Sequence, residues 1–345
     1  PNTTEHEHIY RVHLSDQNLI HKALDAAGQD KSGWGRLSRE ERCAKVSNVA
    51  NELRRNRGEL IGCMAATTGK VFLEGDNEVT EAIDFAEYYP YSLKKLHDET
   101  KLEGQEKGVV LVITPWNFPV AIPAGGILAA LVTGNRVILK PAPEAMPIAW
   151  ELARCFWNAG IPEDTLQVIN CDEGEDLRTL TSNPIINQII FTGGTDTVRK
   201  IMMLRPDILI SAETGGKNAI VVTSMADWDQ VVKNVMNSAF SNTGQKCSAA
   251  SLLILEKELF DNAKFKEKLV DAAKSFCVGS AFNLETFMGP LINKPSGNLE
   301  QALRTLEDGE EWLVRPEVSQ DNPHLVSPGI KWNVRPGSHC HSEEL

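Results

Sequence analysis

Between Gly108 and Thr214 the chain alternates short β-rich apolar runs with helical stretches, and this alternation restricts the possible folds more than any other feature. The runs are Val109–Ile113, Arg136–Leu139, Leu166–Ile169, Gln188–Phe191 and Ile208–Ala212. Helical patterns fit between them, near 123–134, 145–159, 174–181 and 196–204. Strands separated by helices predict a parallel sheet covered on both faces. Such sheets take ligands where loops leave the carboxyl ends of the strands. Asn117, Lys140, Gly193 and Glu213 each fall just after an expected strand, where a cofactor crevice would lie.

The flanks read differently. Residues 15–97 are mostly helical in pattern. Ser38 and Glu41 form a capping-box start, and Val46, Val49, Ala50 and Leu53 then recur at helical spacing. A further helix is expected from about Asn77 to Leu96. After Gly215 the α/β pattern restarts, with strands over 219–222 and 252–255 and helices over 228–241 and 265–276. From Glu307 the periodicity is weak and Pro recurs, so neither helix nor strand is expected there. The fold class is therefore α/β, a parallel doubly wound sheet domain followed by a second α/β domain.

Composition narrows the partners. The formal charge is −12, from 35 basic and 47 acidic residues. This disfavours nucleic acid, because phosphate binding draws on clustered Lys and Arg. No apolar run reaches the roughly 18 residues of a membrane span, and no secretory leader is read at the start. The seven cysteines (Cys43, Cys63, Cys155, Cys171, Cys247, Cys277, Cys340) lack paired spacing. They read as reduced thiols, so a cytoplasmic location is expected. His339-Cys340-His341 lacks zinc-ligand spacing and a second pair, and reads as a surface loop with no metal.

Four chemical groups recur in order around the α/β pattern. Asn117 lies in Thr114-Pro115-Trp116-Asn117-Phe118-Pro119, and Lys140 in Lys140-Pro141-Ala142. Glu213 lies in Glu213-Thr214-Gly215-Gly216-Lys217-Asn218, and Cys247 in Gly244-Gln245-Lys246-Cys247-Ser248-Ala249. An amide, a lysine, a carboxylate and a thiol are the parts needed to oxidise an aldehyde through a covalent thioester. With these motifs the sequence resembles the aldehyde dehydrogenase superfamily from about Trp34 to Leu345. Glu81-Ala82-Ile83-Asp84-Phe85, Thr214 and the Cys-Ser-Ala step resemble its 1-pyrroline-5-carboxylate (glutamate semialdehyde) dehydrogenase branch, found in bifunctional proline-utilisation enzymes.

The resemblance implies roles. Cys247 would be the nucleophile, activated as a thiolate. Asn117 and the Cys247 backbone N–H would hold the tetrahedral oxyanion. Glu213 would be the general base that directs water onto the thioester. Thr114, Pro115, Trp116, Lys140, Gly193, Gly194 and Glu344 would bind the dinucleotide, NAD or NADP. Glu81, Phe118 and Ser248 would line the substrate site. Each also has a plainer reading: a turn asparagine, a surface lysine, a helix-surface acid, a packed phenylalanine. Pro143 stands where many relatives carry the acid that holds the adenosine ribose, and Gly194 where they carry Ser, so NAD or NADP stays open. No G-x-G-x-x-G fingerprint occurs.

By this resemblance residues 1–214 form a dinucleotide-binding domain with N-terminal helices, 98–108 a short remnant of a bridging segment, and 215–345 an incomplete catalytic domain. The chain reads as C-terminally truncated. The intact protein is expected to be a homo-oligomer, fused to or working with a proline dehydrogenase, acting on a small aldehyde. Competing readings are a succinate-semialdehyde type enzyme, a CoA-acylating relative (disfavoured by Glu213), and a non-catalytic interaction module.

Overall fold

The computed structural model describes residues 10–101, 104–172 and 174–345. They divide into two compact units. The first runs up to Thr67 and from Leu73 to Thr214; the second comprises Thr68–Phe72 and Gly215–Leu345. The segment 98–108 expected as a bridging remnant runs through residues 102–103, which lie outside the described residues; its start is the end of a long helix.

The first unit opens with helices α1 (Gln17–Gln29), α2 (Arg39–Arg55), α3 (Arg57–Thr67) and α4 (Phe72–Thr100). At the start of α2 the Ser38 hydroxyl accepts from Glu41 N, and the Glu41 carboxylate accepts from Ser38 N at 2.8 Å. Strands and helices then alternate: β1 (Val109–Thr114), α5 (Ala121–Val132), β2 (Arg136–Pro141), α6 (Met146–Asn158), β3 (Leu166–Val168), α7 (Glu175–Ser182), β4 (Ile186–Gly193), α8 (Thr195–Leu204) and β5 (Leu209–Thr214). The strands form a parallel sheet in the order β3-β2-β1-β4-β5. From β1 the chain winds outwards to β3, then returns to lay β4 on the other side of β1. The strand order thus reverses between β1 and β4.

Both faces of this sheet are packed, as parallel pairing requires. Val110, Val112, Val137 and Leu139 point to one side, among residues of α2 to α6. Val109, Leu111, Ile113, Ile138 and Ile189 point to the other, with residues of α1, α7 and α8. The alternation follows from the two-residue period of a strand. Helix α5 lies close against β1, because a Cβ at Gly126 would stand 2.8 Å from Val112 Cγ1. Trp34 is fully buried and its indole N–H donates to Leu131 O at 3.1 Å. Among the described residues no helix is long and apolar enough to cross a membrane.

The second unit contains β6 (Asn218–Val222), α9 (Trp228–Phe240), β7 (Ala250–Leu255), α10 (Lys257–Phe260), α11 (Ala263–Lys274), α12 (Gly297–Arg304), β8 (Glu311–Val314), β9 (Ile330–Trp332) and α13 (His339–Ser342). Strands β6 and β7 pair in parallel. The tail beyond Glu307 differs from expectation. It forms an antiparallel β8–β9 pair, and its Val314 and Trp332 join Val222, Met236, Phe265 and Leu269 in a core. Trp332 stacks on Phe260 and carries Lys266 Nζ 4.6 Å from its ring centre. Thr68–Phe72 packs here too. Gly69 has φ +73, a Cβ on it would lie 2.5 Å from Pro290 Cγ, and Phe72 meets Phe282 edge to face at 6.2 Å.

Candidate active site

In the first unit the sequence-predicted residues gather at the carboxyl edge of the sheet. Thr114 ends β1 and stands beside Pro141 of β2, with Ile113 opposite Lys140. Gly193 ends β4 opposite Thr214, and Thr192 stands opposite Glu213. Gly193 is thus the last residue of β4, and Lys140 and Glu213 are the last but one of β2 and β5, rather than the first of the loops. Lys140 is 4% exposed, whereas Glu213 is exposed. Between β1 and α5 runs the loop of Pro115, Trp116, Asn117 and Phe118, all half-buried. Glu81 is exposed on α4, where Phe85 and Tyr89 stack at 5.3 Å.

This edge suits a dinucleotide. It lies at the strand-order reversal, where doubly wound sheets bind such ligands. The Thr114 hydroxyl is buried without a hydrogen-bond partner among the described residues, so a polar group is needed there. Gly194 is the N-cap of α8 and supplies no side-chain cap. The first N–H groups of α8 are therefore available to an anion. Asp196 in that first turn pairs with Arg199 at 3.6 Å.

In the second unit Cys247 and Ser248 lie on the connection from α9 to β7, both exposed. The approach to Cys247 is unusual backbone. Asn242, Thr243 and Gly244 all take positive φ, at 50, 57 and 73 degrees. For β-branched Thr243 this conformation is strained, and strain of this kind concentrates at functional sites. The surroundings enforce it. The Thr243 hydroxyl donates to Gly289 O at 2.8 Å, the Gln245 side chain accepts from Ile292 N at 2.9 Å, and Lys246 Nζ bonds the Ser241 hydroxyl. On the far side, Asn218 Nδ2 donates to Cys247 O at 2.7 Å and to Ala249 O at 3.1 Å. Sequence reasoning did not single out Asn218; its place at the first residue of a strand beside the Glu213 motif was the available signal.

The thiols differ sharply. Burial pushes Cys63 and Cys171 up to about 11 and Cys155 up to about 12. Cys340 is buried with its Sγ 3.2 Å from Lys331 Nζ. Its neighbours face other partners: the His339 ring bonds Asn298 O, and the His341 ring accepts from Gly337 N. Glu344 also belongs to the second unit. Its carboxylate lies against the Cα of Gly215, where a Cβ would collide with it. Glu343 is held there as well, its carbonyl accepting from Lys217 Nζ at 2.6 Å.

The doubly wound sheet gives the fold as α/β, and the family match makes the chain an enzyme of the oxidoreductase class. The chain belongs to the aldehyde dehydrogenase family, whose profile matches residues 1–345. It is 32% identical to 1-pyrroline-5-carboxylate dehydrogenase of Geobacillus thermodenitrificans, over 98% of this chain and 69% of that protein. Among solved structures, proline utilization A (PutA) from Corynebacterium freiburgense matches with TM-score 0.91 and 42% identity, over 97% of this chain. This chain spans about a third (34%) of that PutA chain. The crystal structure of an E. coli NADP dependent enzyme matches with TM-score 0.87 and 28% identity, over 94% of this chain and 70% of its own.

Proposed function

We propose that this chain oxidises an aldehyde to a carboxylic acid through a thioester on Cys247, with L-glutamate γ-semialdehyde as the substrate. The observation that carries the reading is the loop 242–247. It spends backbone strain to present an exposed cysteine, while Cys155 and Cys171 are buried, Cys63 is half-buried, and burial pushes all three thiols up. Similarity to a 1-pyrroline-5-carboxylate dehydrogenase and to PutA supports the substrate and a role in proline utilisation beside a proline dehydrogenase.

The residues would act as follows. Cys247 Sγ attacks the aldehyde carbon. The oxyanion that forms is stabilised by the Asn117 side chain and the Cys247 N–H; one such donor is typically worth about 10²–10³ in rate. A bound NAD or NADP supplies the hydride acceptor. Thr114, Pro115, Trp116, Lys140, Gly193 and Gly194 would hold it, and Glu344 its nicotinamide ribose. Glu213 then draws a proton from water as that water attacks the thioester. Ser248 would anchor the distal carboxylate of the substrate through its hydroxyl, and Glu81 and Phe118 would line the substrate site. Pro143 leaves no acid beside Lys140 at the usual spacing, so both dinucleotides fit this reading.

The test is a single substitution in the intact protein. Cys247→Ala should fold as before and lose aldehyde oxidation. Enzymes accelerate reactions by about 10⁶-fold or more, so retention of more than about a hundredth of the rate would refute the assignment. A quench-and-digest mass spectrum should find the acyl adduct on Cys247 and on no other cysteine.

A further inference from the structure

We infer that Glu78 is a positioning residue for the loop that carries Asn117, because its carboxylate caps helix α5 from the neighbouring helix α4. The inference rests on the oxyanion role proposed above for Asn117.

Helix α5 starts without a local cap. Its N-cap residue is Val120, which has no side chain able to accept a hydrogen bond. The residues at the start of a helix leave N–H groups that need acceptors. Here few donors exist, because Pro119 and Pro123 have no N–H. Two of the remaining ones find the same acceptor. Glu78 Oε1 receives Val120 N at 2.7 Å and Ala121 N at 3.1 Å, from more than forty residues away in sequence. Glu78 is 2% exposed, so the contact is sheltered from water. A carboxylate at a helix N-terminus also gains from the helix dipole, and bonds to a charged acceptor are about twice as strong as neutral ones.

The position matters more than the strength. Val120 is three residues after Asn117, with Phe118 and Pro119 between them. The other end of the loop is fixed by β1, whose Thr114 is paired in the sheet. Glu78 therefore ties down the free end of a short span whose middle holds the amide donor. An oxyanion donor works only when its nitrogen stands within hydrogen-bonding distance of the developing charge, so a loosened span should harm reaction far more than cofactor binding.

The test is a double-mutant cycle read by the pre-steady-state burst of NAD(P)H in the intact protein, with dinucleotide affinity measured beside it. Glu78→Ala should slow the burst roughly 10- to 100-fold, the scale of a displacement of about 1 Å at a reacting centre, while dinucleotide affinity stays within about twofold. Glu78→Gln keeps an acceptor and should recover part of the rate. In an Asn117→Ala background, adding Glu78→Ala should change the rate less than about twofold, because coupled residues are not additive. A wild-type burst in Glu78→Ala, or fully additive losses in the double variant, would overturn the inference and leave Glu78 as a structural cap. If Asn117→Ala itself leaves the burst intact, the oxyanion assignment falls and this inference with it. If Glu78→Ala does not fold, Glu78→Gln decides: faster amide exchange at Val120 and Ala121 with a slower burst supports the inference, and a wild-type burst overturns it.

Discussion

Replacing Asn218 with Ala isolates the support of the nucleophile loop from the chemistry. The Asn218 side-chain amide makes two bonds, to the carbonyls of Cys247 at 2.7 Å and Ala249 at 3.1 Å. A neutral hydrogen bond contributes about 0.5–1.5 kcal/mol net. Cys247 is exposed, so its carbonyl regains water when the amide is removed. The lower part of that range therefore applies, about 1–2 kcal/mol for the pair. If that energy holds the loop in its reactive form, the acylation rate should fall about 5- to 30-fold, since 1.36 kcal/mol is tenfold in rate. The melting temperature should fall by about 2–8 °C on the usual scaling for large domains. Stopped-flow detection of NAD(P)H at saturating dinucleotide reads the first quantity and calorimetry the second. Asn218→Asp should be worse than Ala, because it places a carboxylate against two carbonyl oxygens. An Asn218→Ala burst within twofold of wild type would refute the idea that these two bonds hold the thiol in place.

Other outcomes test separate parts of the molecule. Glu213→Gln should release one burst of NAD(P)H and then stall with an acyl group on Cys247; loss of the burst itself would assign Glu213 a different role. At pH 8 a maleimide should label the exposed Cys247 and Cys277 in the folded protein and spare Cys63, Cys155 and Cys171, which burial keeps protonated to about 11, 12 and 11. Unfolded thiols ionise from about pH 9, so the stability these three groups contribute is complete below that pH and is lost as pH rises towards 12. Urea titrations at pH 8 and pH 10.5 should show that fall, and replacing the three cysteines by alanine should flatten it. Leu111→Ala, at a position with no exposed surface in the middle of β1, should destabilise the first unit by about 2–5 kcal/mol in denaturant unfolding.

Some of this architecture is plain in the residues and some is hidden for physical reasons. Strand β1 is legible to within a residue because an unbroken apolar run sits between Gly108 and Thr-Pro. The start of α2 is legible because both halves of its capping box are local. Helix α4 was expected over about 77–96 and extends over Phe72–Thr100, with Pro90 inside it. The β8–β9 pair escaped because its strands are four and three residues long and far apart in sequence, too short for a period to show. The placement of Asn117, Lys140 and Glu213 at one sheet edge follows from strand order, which alternating strands and helices imply. The supports do not follow. Glu78 meets Val120, and Asn218 meets Cys247, through contacts between distant segments. The left-handed backbone at Asn242 and Thr243 is set by Gly289 and Ile292, which nothing local announces.

The five residues Thr68–Phe72 bear on how such a protein can be taken apart or recombined. They interrupt the first unit yet pack in the second, with Gly69 pressed on Pro290. A gene cut at Gly215 therefore does not separate two self-sufficient modules: a product starting there would lack one of its own packing strips. Chimaeras that join the front of one relative to the back of another at this point would pair a foreign 68–72 segment with a native wall of Gly289 and Pro290. Any residue other than glycine at position 69 would meet that wall at once. Viable crossovers should therefore be those in which both segments come from the same parent.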